Sequence, residues 1–393
     1  MNKTKTLILL TLFGGMALQG HAESPFRDLI ASVIENDSEI ISKTVEIDAS
    51  LASASAENSL EGPELEFEYL WANTSSDDNR WSAGISQEFA MPGLYSSRRA
   101  AAQAEAESSR VVLLGIKADK ALEAKQLILD IINANAHLKF YMDLQDNLHR
   151  ISELTRHSYD IGEATVLDLR KMQIAEIDNE SKISDAMAGI YRMHQDLKAL
   201  GAELPESTEM WQSYPVQLCE KPDEGSNSFF IALEQAQMRA AEAKTKAVKM
   251  QAWPTISLGY HHAFEDQTHF NGLSVGLKLP SFSQKKRREA ARLEAESLIF
   301  DTKNRIITEN AENQSLYDSA VKTREMMNRY GELINDNTYL ELLAKAYDGG
   351  QLTVIDYLNE VNLFSNARHN FMDMQYRYNL TLARLNRYRG MDF

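Results

Sequence analysis

Tyr159-Asp160-Ile161-Gly162-Glu163-Ala164-Thr165-Val166-Leu167-Asp168 returns, 188 residues on (347 − 159), as Tyr347-Asp348-Gly349-Gly350-Gln351-Leu352-Thr353-Val354-Ile355-Asp356. The same offset carries Gly84 onto Gly272, Pro92 onto Pro280 and Arg98-Arg99 onto Lys286-Arg287. One spacing held over so much chain marks two duplicated structural halves rather than a single recurring motif.

Each repeated turn follows a helix-prone stretch with almost no Gly or Pro, Leu94 to His157 and Ser283 to Tyr347. At about 1.5 Å per residue each can run on the order of 90 Å. Gly162 and Gly350 end these stretches, and second helices return over Thr165 to Leu200 and Thr353 to Arg389. Upstream, Phe26 to Leu60 has helical spacing and stops at Pro63. The period then falls to two: Leu65, Phe67, Tyr69 and Trp71 alternate with Glu64, Glu66 and Glu68. After a polar loop over Asn73 to Asn79, Trp81, Ala83, Ile85 and Phe89 alternate with Ser82, Gly84, Ser86 and Glu88, which predicts a hairpin over 64–90. The second half repeats it over 254–280, with Ile256, Leu258 and Tyr260 against Ser257 and Gly259, then Leu273, Val275 and Leu277 against Ser274, Gly276 and Lys278. The expected organisation is a first repeat over 23–202, a Pro- and Gly-punctuated connector over 203–228 and a second repeat over 229–393.

Residues 1–22 have the grammar of an export signal: Lys3 and Lys5, an apolar run from Leu7 to Leu18, then Gly20-His21-Ala22. Without it the formal charge of −16 becomes −18, a surplus that argues against nucleic-acid binding. The lone Cys219 excludes an internal disulfide. No stretch beyond the leader approaches the roughly 20 apolar residues of a spanning helix, so entry into a bilayer would have to be by strands. No His-Glu-x-x-His, Gly-x-Ser-x-Gly or phosphate-cradling loop occurs, and neither an enzyme nor a cofactor is expected.

Strands with one apolar and one polar face, capped by Tyr69, Trp71 and Trp81, have the pattern of a membrane barrel with a wet lumen. Glu64, Glu66, Glu68, Glu88 and Lys278 would then line the channel; in a soluble hairpin they are merely solvated. Four strands cannot close, because open edges in hydrocarbon leave N–H and C=O groups unpaired at several kcal/mol each. The barrel reading therefore requires copies of the chain to pool strands.

The duplication, the two strand hairpins, Pro92-Gly93 leading to Arg98-Arg99, and the paired Tyr-x-x-Gly-x-x-Thr-x-x-Asp turns together resemble the TolC-type outer-membrane efflux proteins over nearly the whole chain after the leader. The resemblance implies a mainly α fold with a small β part. Its trimer would have a twelve-stranded outer-membrane barrel above long periplasmic helical hairpins, and would serve as the exit duct of a tripartite pump. Implied partners are a periplasmic adaptor and an inner-membrane transporter of the resistance-nodulation-division type. Gln87-Glu88-Phe89-Ala90-Met91-Pro92-Gly93 is similar to the branch serving heavy-metal cation exporters of the cobalt-zinc-cadmium kind.

In the turns, Thr165 and Thr353 can cap the returning helices while Asp168 and Asp356, three residues on, reach back to the cap N–H. The resemblance adds a second role, in which three copies of each Asp converge at a periplasmic entrance, with Gly162, Thr165, Gly350 and Thr353 presented to the adaptor. Asn359 stands where relatives often carry a further acid, with Glu360 beside it, and Leu352 stands where a basic residue is common. Arg98, Arg99, Arg287 and Arg288 follow the strands near helix starts, where positive charge opposes the helix dipole. They are either solvated or compensated by lipid phosphates at the barrel base. His261, His262, Glu265, Asp266 and His269 are expected to crowd the second hairpin loop, as a metal site or as ordinary loop polarity. The rival overall reading is a periplasmic coiled-coil scaffold or adhesin whose strands form a small soluble sheet; a periplasmic metal-binding protein is a third.

Overall fold

The computed structural model describes residues 26–71, 79–205, 209–215, 219–222, 228–265, 268–280, 283–334 and 338–388. The leader, most of the Asn73–Asn79 loop, parts of the connector and Asp266 lie outside the described residues.

The expected single helix over 26–60 is two, α1 (Arg27–Asn36) and α2 (Ser38–Glu57). Asp37 divides them: its backbone is extended and its carboxylate accepts from Glu39 N at 2.9 Å and Ile40 N at 3.0 Å, so it starts a new helix rather than continuing the first. Lys120 closes on the junction, 3.6 Å from Asp37 and 3.1 Å from Glu39.

Two antiparallel hairpins follow in one sheet of order β1-β2-β3-β4, comprising β1 (Glu64–Leu70), β2 (Arg80–Phe89), β3 (Thr255–Glu265) and β4 (Thr268–Lys278). Trp71, expected within the first strand, falls just beyond it. The register lays Leu65, Ile85, Tyr260 and Leu273 in one cross-strand row and Glu64, Ser86, Gly259 and Ser274 in the next. Alternation along each strand therefore sorts the sheet into a mainly apolar and a mainly polar face, with exceptions that include Phe270 on the polar side and His262, His269 and Asn271 on the apolar side. Both β1 and β4 are edge strands of this sheet.

From the sheet runs α3 (Pro92–Asp160), 69 residues and about 100 Å long, with Pro92 in its first turn where a missing N–H costs nothing. It packs against the returning α4 (Val166–Ala199) and against α5 (Ser228–Met250). Within the second long segment the described residues form α6 (Gln284–Ile334) and α7 (Thr338–Asp348), and α8 (Val354–Leu385) returns. The Ile334 carbonyl of α6 accepts from Arg368 Nη1 at 2.5 Å, which ties α6 to α8.

Among the described residues three buried clusters join the helices, the smallest of them Ile40 and Ile47 of α2 against Ala106 and Leu113 of α3. Near the repeated turns, Phe140, Leu144, Leu148 and Ile151 of α3 meet Met172, Leu343, Tyr357 and Phe364. Higher up, Phe26, Leu29 and Val33 of α1 meet Ala124, Ile128 and Ile131 of α3. The connector is anchored in this second core: Trp211 is buried there, its ring 5.3 Å from Phe26 and 5.1 Å from His194. Among the described residues, no helix is long and apolar enough to cross a membrane.

Candidate functional site

The two repeated turns agree down to individual hydrogen bonds. Ile161 N donates to His157 O, Gly162 N to Tyr159 O and Glu163 N to Ser158 O; Gly349, Gly350 and Gln351 repeat the three bonds to Lys345, Tyr347 and Ala346. Gly162 at φ +83° and Gly350 at φ +69° take the left-handed conformation that ends each helix. Thr165 and Thr353 then open α4 and α8 with full capping boxes. Asp168 N donates to Thr165 Oγ1 at 3.2 Å while Thr165 Oγ1 and N donate back to Asp168 Oδ2 at 2.6 and 3.3 Å. The Thr353–Asp356 pair matches at 3.2, 2.6 and 3.4 Å.

The two aspartates differ in what surrounds them. The Thr165 hydroxyl, followed by its N–H and the Lys171 ammonium, holds the Asp168 carboxyl below the usual carboxylate range against an opposing effect of burial. Lys171 stands 3.4 Å from Asp168. Asp356 is exposed, with no ion pair within 4 Å among the described residues. Asn359 is exposed, whereas Glu360 accepts from Tyr339 of α7 at 2.8 Å, which ties α7 to α8. The turns are tied to each other as well, since Tyr347 Oη lies 2.7 Å from Thr155 Oγ1 of α3.

At the opposite end, Glu64, Glu66, Glu68, Glu88 and Lys278 come to the polar face of the sheet, and Lys278 reaches over β3 to within 3.4 Å of Glu88. Arg98 and Arg99 lie in the second turn of α3 and Arg287 and Arg288 in the first turns of α6; none is ion-paired within 4 Å among the described residues.

The expected histidine loop is corrected. Strand pairing continues to Glu265↔Thr268, so His261, His262 and His269 stand on strands, and alternation splits them. His261 shares the polar face with Glu66, while His262 and His269 share the apolar face with Trp81 and Phe264. Glu265 pairs with Arg80 at 3.6 Å. No group of three or more His, Cys, Asp or Glu able to hold a metal ion occurs among the described residues.

The sequence reading passed over a second histidine pair, because its members are 232 residues apart in the chain. His137 of α3 and His369 of α8 face each other with Nδ1 atoms 2.9 Å apart, and Asp373 Oδ1 lies 3.6 Å from His137 Nε2. Burial, then the neighbouring His137, depresses His369 to about 4, and burial depresses His137. Between about pH 4 and the unfolded value near 6.5 the unfolded chain binds more protons than the folded one, so stability falls as pH drops through that window. Screening of a half-exposed ring leaves a loss of about 1 kcal/mol. Denaturant midpoints at pH 7 and pH 4.5 should therefore differ less in His369→Gln than in the parent; an unchanged difference would refute the assignment.

No family model matches the chain, and no curated protein matches it by sequence. Solved structures do match by fold. The chain is similar to CusC at 13% identity, covering 94% of each chain with a TM-score of 0.75. It is similar to a membrane protein from Pseudomonas aeruginosa at 17% identity, covering 92% of each chain with a TM-score of 0.76. It is also similar to the Campylobacter jejuni CmeC outer membrane channel at 13% identity, covering 97% of this chain and 91% of that one with a TM-score of 0.74. The chain thus has the fold of these solved structures: mostly helical, with one small four-stranded sheet set on long helical hairpins.

Proposed function

We propose that the chain is the exit duct of a tripartite efflux pump, a homotrimer in which three four-stranded sheets close one twelve-stranded outer-membrane barrel. The observation that carries this reading is the sheet itself, which has one mainly apolar face, one mainly polar face and two edge strands, β1 and β4, each paired on one side only among the described residues. Burying such edges in lipid is possible only if each meets another copy. The helical wall supports the same reading: α6 leaves Leu293, Phe300 and Ile307 exposed seven residues apart, with Ile299, Val321, Met326 and Leu333 also exposed, an apolar surface that another helix can cover.

In this duct the repeated turns form the periplasmic tip. Gly162, Thr165, Gly350 and Thr353 shape the surface offered to the adaptor, Asp356 with Asn359 forms the entrance rim, and Arg98, Arg99, Arg287 and Arg288 meet lipid phosphates at the barrel base. The acid-rich lumen and the net negative charge favour cations, and the likeness of Gln87 to Gly93 to heavy-metal exporters directs the substrate reading to metal cations moved by a resistance-nodulation-division transporter. Planar-bilayer recordings test the duct. The trimer should conduct with a preference for cations, and Asp356→Asn should lower both that preference and block by divalent cations severalfold. A trimer that does not conduct would leave the scaffold reading standing, and a variant indistinguishable from the parent would remove Asp356 from the entrance.

A further inference from the structure

On the apolar face of the sheet, at the end away from the long helices, the apolar pattern is broken by His262, His269 and Asn271. His262 Nε2 and His269 Nδ1 converge to 3.3 Å across the β3–β4 hairpin. Two imidazole nitrogens so spaced, each about 2.0–2.1 Å from a metal, subtend about 105° at it, so one ion can take both as neighbouring ligands. The rings are also held in place. His262 Nδ1 lies 2.9 Å from Asn271 Oδ1, which also accepts from Tyr260 Oη at 2.6 Å. An oxygen can only accept, so His262 carries its proton on Nδ1 and presents Nε2 as a bare lone pair to His269. That is the outer-shell arrangement that fixes the tautomer and aim of metal-ligating imidazoles. Trp81, 5.4 Å from the His262 ring, and Phe264, 4.9 Å from that of His269, wall the pair with apolar surface.

We propose that His262 and His269 form a two-histidine site for a divalent late transition-metal cation, Cu²⁺ foremost, with water completing the coordination. Imidazole suits copper, nickel and zinc, and affinity for such ligands peaks at copper. At rest His269 donates its Nδ1 proton to the His262 lone pair. On binding, the cation replaces that proton and His269 becomes the Nε2–H tautomer, so both rings stay neutral and no net proton is released. The β3–β4 pairing alone sets the site, so it stands independently of the exit-duct reading; if that reading also holds, three copies ring the outer mouth.

Cu²⁺ titration of the detergent-solubilised full chain tests this by electron paramagnetic resonance and by quenching of tryptophan fluorescence. The expected result is one Cu²⁺ per chain with the signature of two imidazole nitrogens, lost in His262→Ala and in His269→Ala and kept in His261→Ala, whose ring is on the other face. Asn271→Ala, which keeps both ligands, should weaken binding about 10- to 100-fold. His369→Ala controls for the interhelical pair. Copper binding that survives His262→Ala and His269→Ala, or that disappears with His369→Ala alone, would overturn the proposal.

Discussion

Leu273→Arg is expected to abolish the trimer, while Gly272→Arg, one residue earlier, leaves it intact. Leu273 is 86% exposed at the middle of β4, in the apolar row with Leu65, Ile85 and Tyr260. In a pooled barrel that row faces lipid at mid-depth, where an Arg costs about 2–4 kcal/mol. Three copies carry the penalty at once, about 6–12 kcal/mol per assembly, which matches or exceeds the whole stability of many folded domains. Gly272 is on the polar face, and a Cβ there would meet no atom within 4 Å. Its Arg would project into water and should reduce cation conductance without disturbing assembly. Unheated gel electrophoresis of outer-membrane extracts reads both variants. In a soluble scaffold both positions are solvated, so equal trimer or monomer yields from the two would remove the barrel.

Period and repetition made most of this fold legible in the sequence. Side chains alternating every two residues dictate which face each strand presents, and the pairing reproduces that assignment from Glu64 to Lys278. The repeated decapeptide likewise specified two left-handed glycines and two capping boxes, because these bonds span only a few residues. Less legible were features that depend on one local competition or on distant pairing. Asp37 has helical neighbours on both sides, yet its carboxylate satisfies the N–H groups of Glu39 and Ile40 and divides the helix. Clustered polar residues point to a loop around the histidines, but the β3–β4 ladder extends to Glu265 and Thr268 and distributes them over two faces. His137 with His369, and Tyr357 with Asn147, are pairs that only tertiary packing creates.

Tyr357→Ala should be the most damaging change in the helical body, and Tyr357→Phe shows why. Tyr357 is 0% exposed, one residue past Asp356, in the core where α8 meets α3. Removing a ring of this size from a packed core costs about 3–5 kcal/mol, as for other aromatic truncations. The hydroxyl contributes separately: it donates to Asn147 Oδ1, and Asn147 Nδ2 donates at 3.3 Å to the Leu340 carbonyl of α7. One buried amide therefore joins α3, α7 and α8 just behind the repeated turn. Tyr357→Phe keeps the ring but strands the Asn147 oxygen, at about 1–3 kcal/mol, and Tyr357→Phe with Asn147→Leu should recover part of that by removing the orphaned acceptor. Denaturant midpoints measure the three costs, and amide exchange over residues 354–364 locates them. In a duct whose entrance is bounded by the first turn of α8, the same loosening lets that turn move, so Tyr357→Phe should conduct more than the parent while Asp356→Asn changes selectivity instead. Equal conductance in Tyr357→Phe and the parent, with exchange accelerated as expected, would show that the contact stabilises α8 without restraining the entrance.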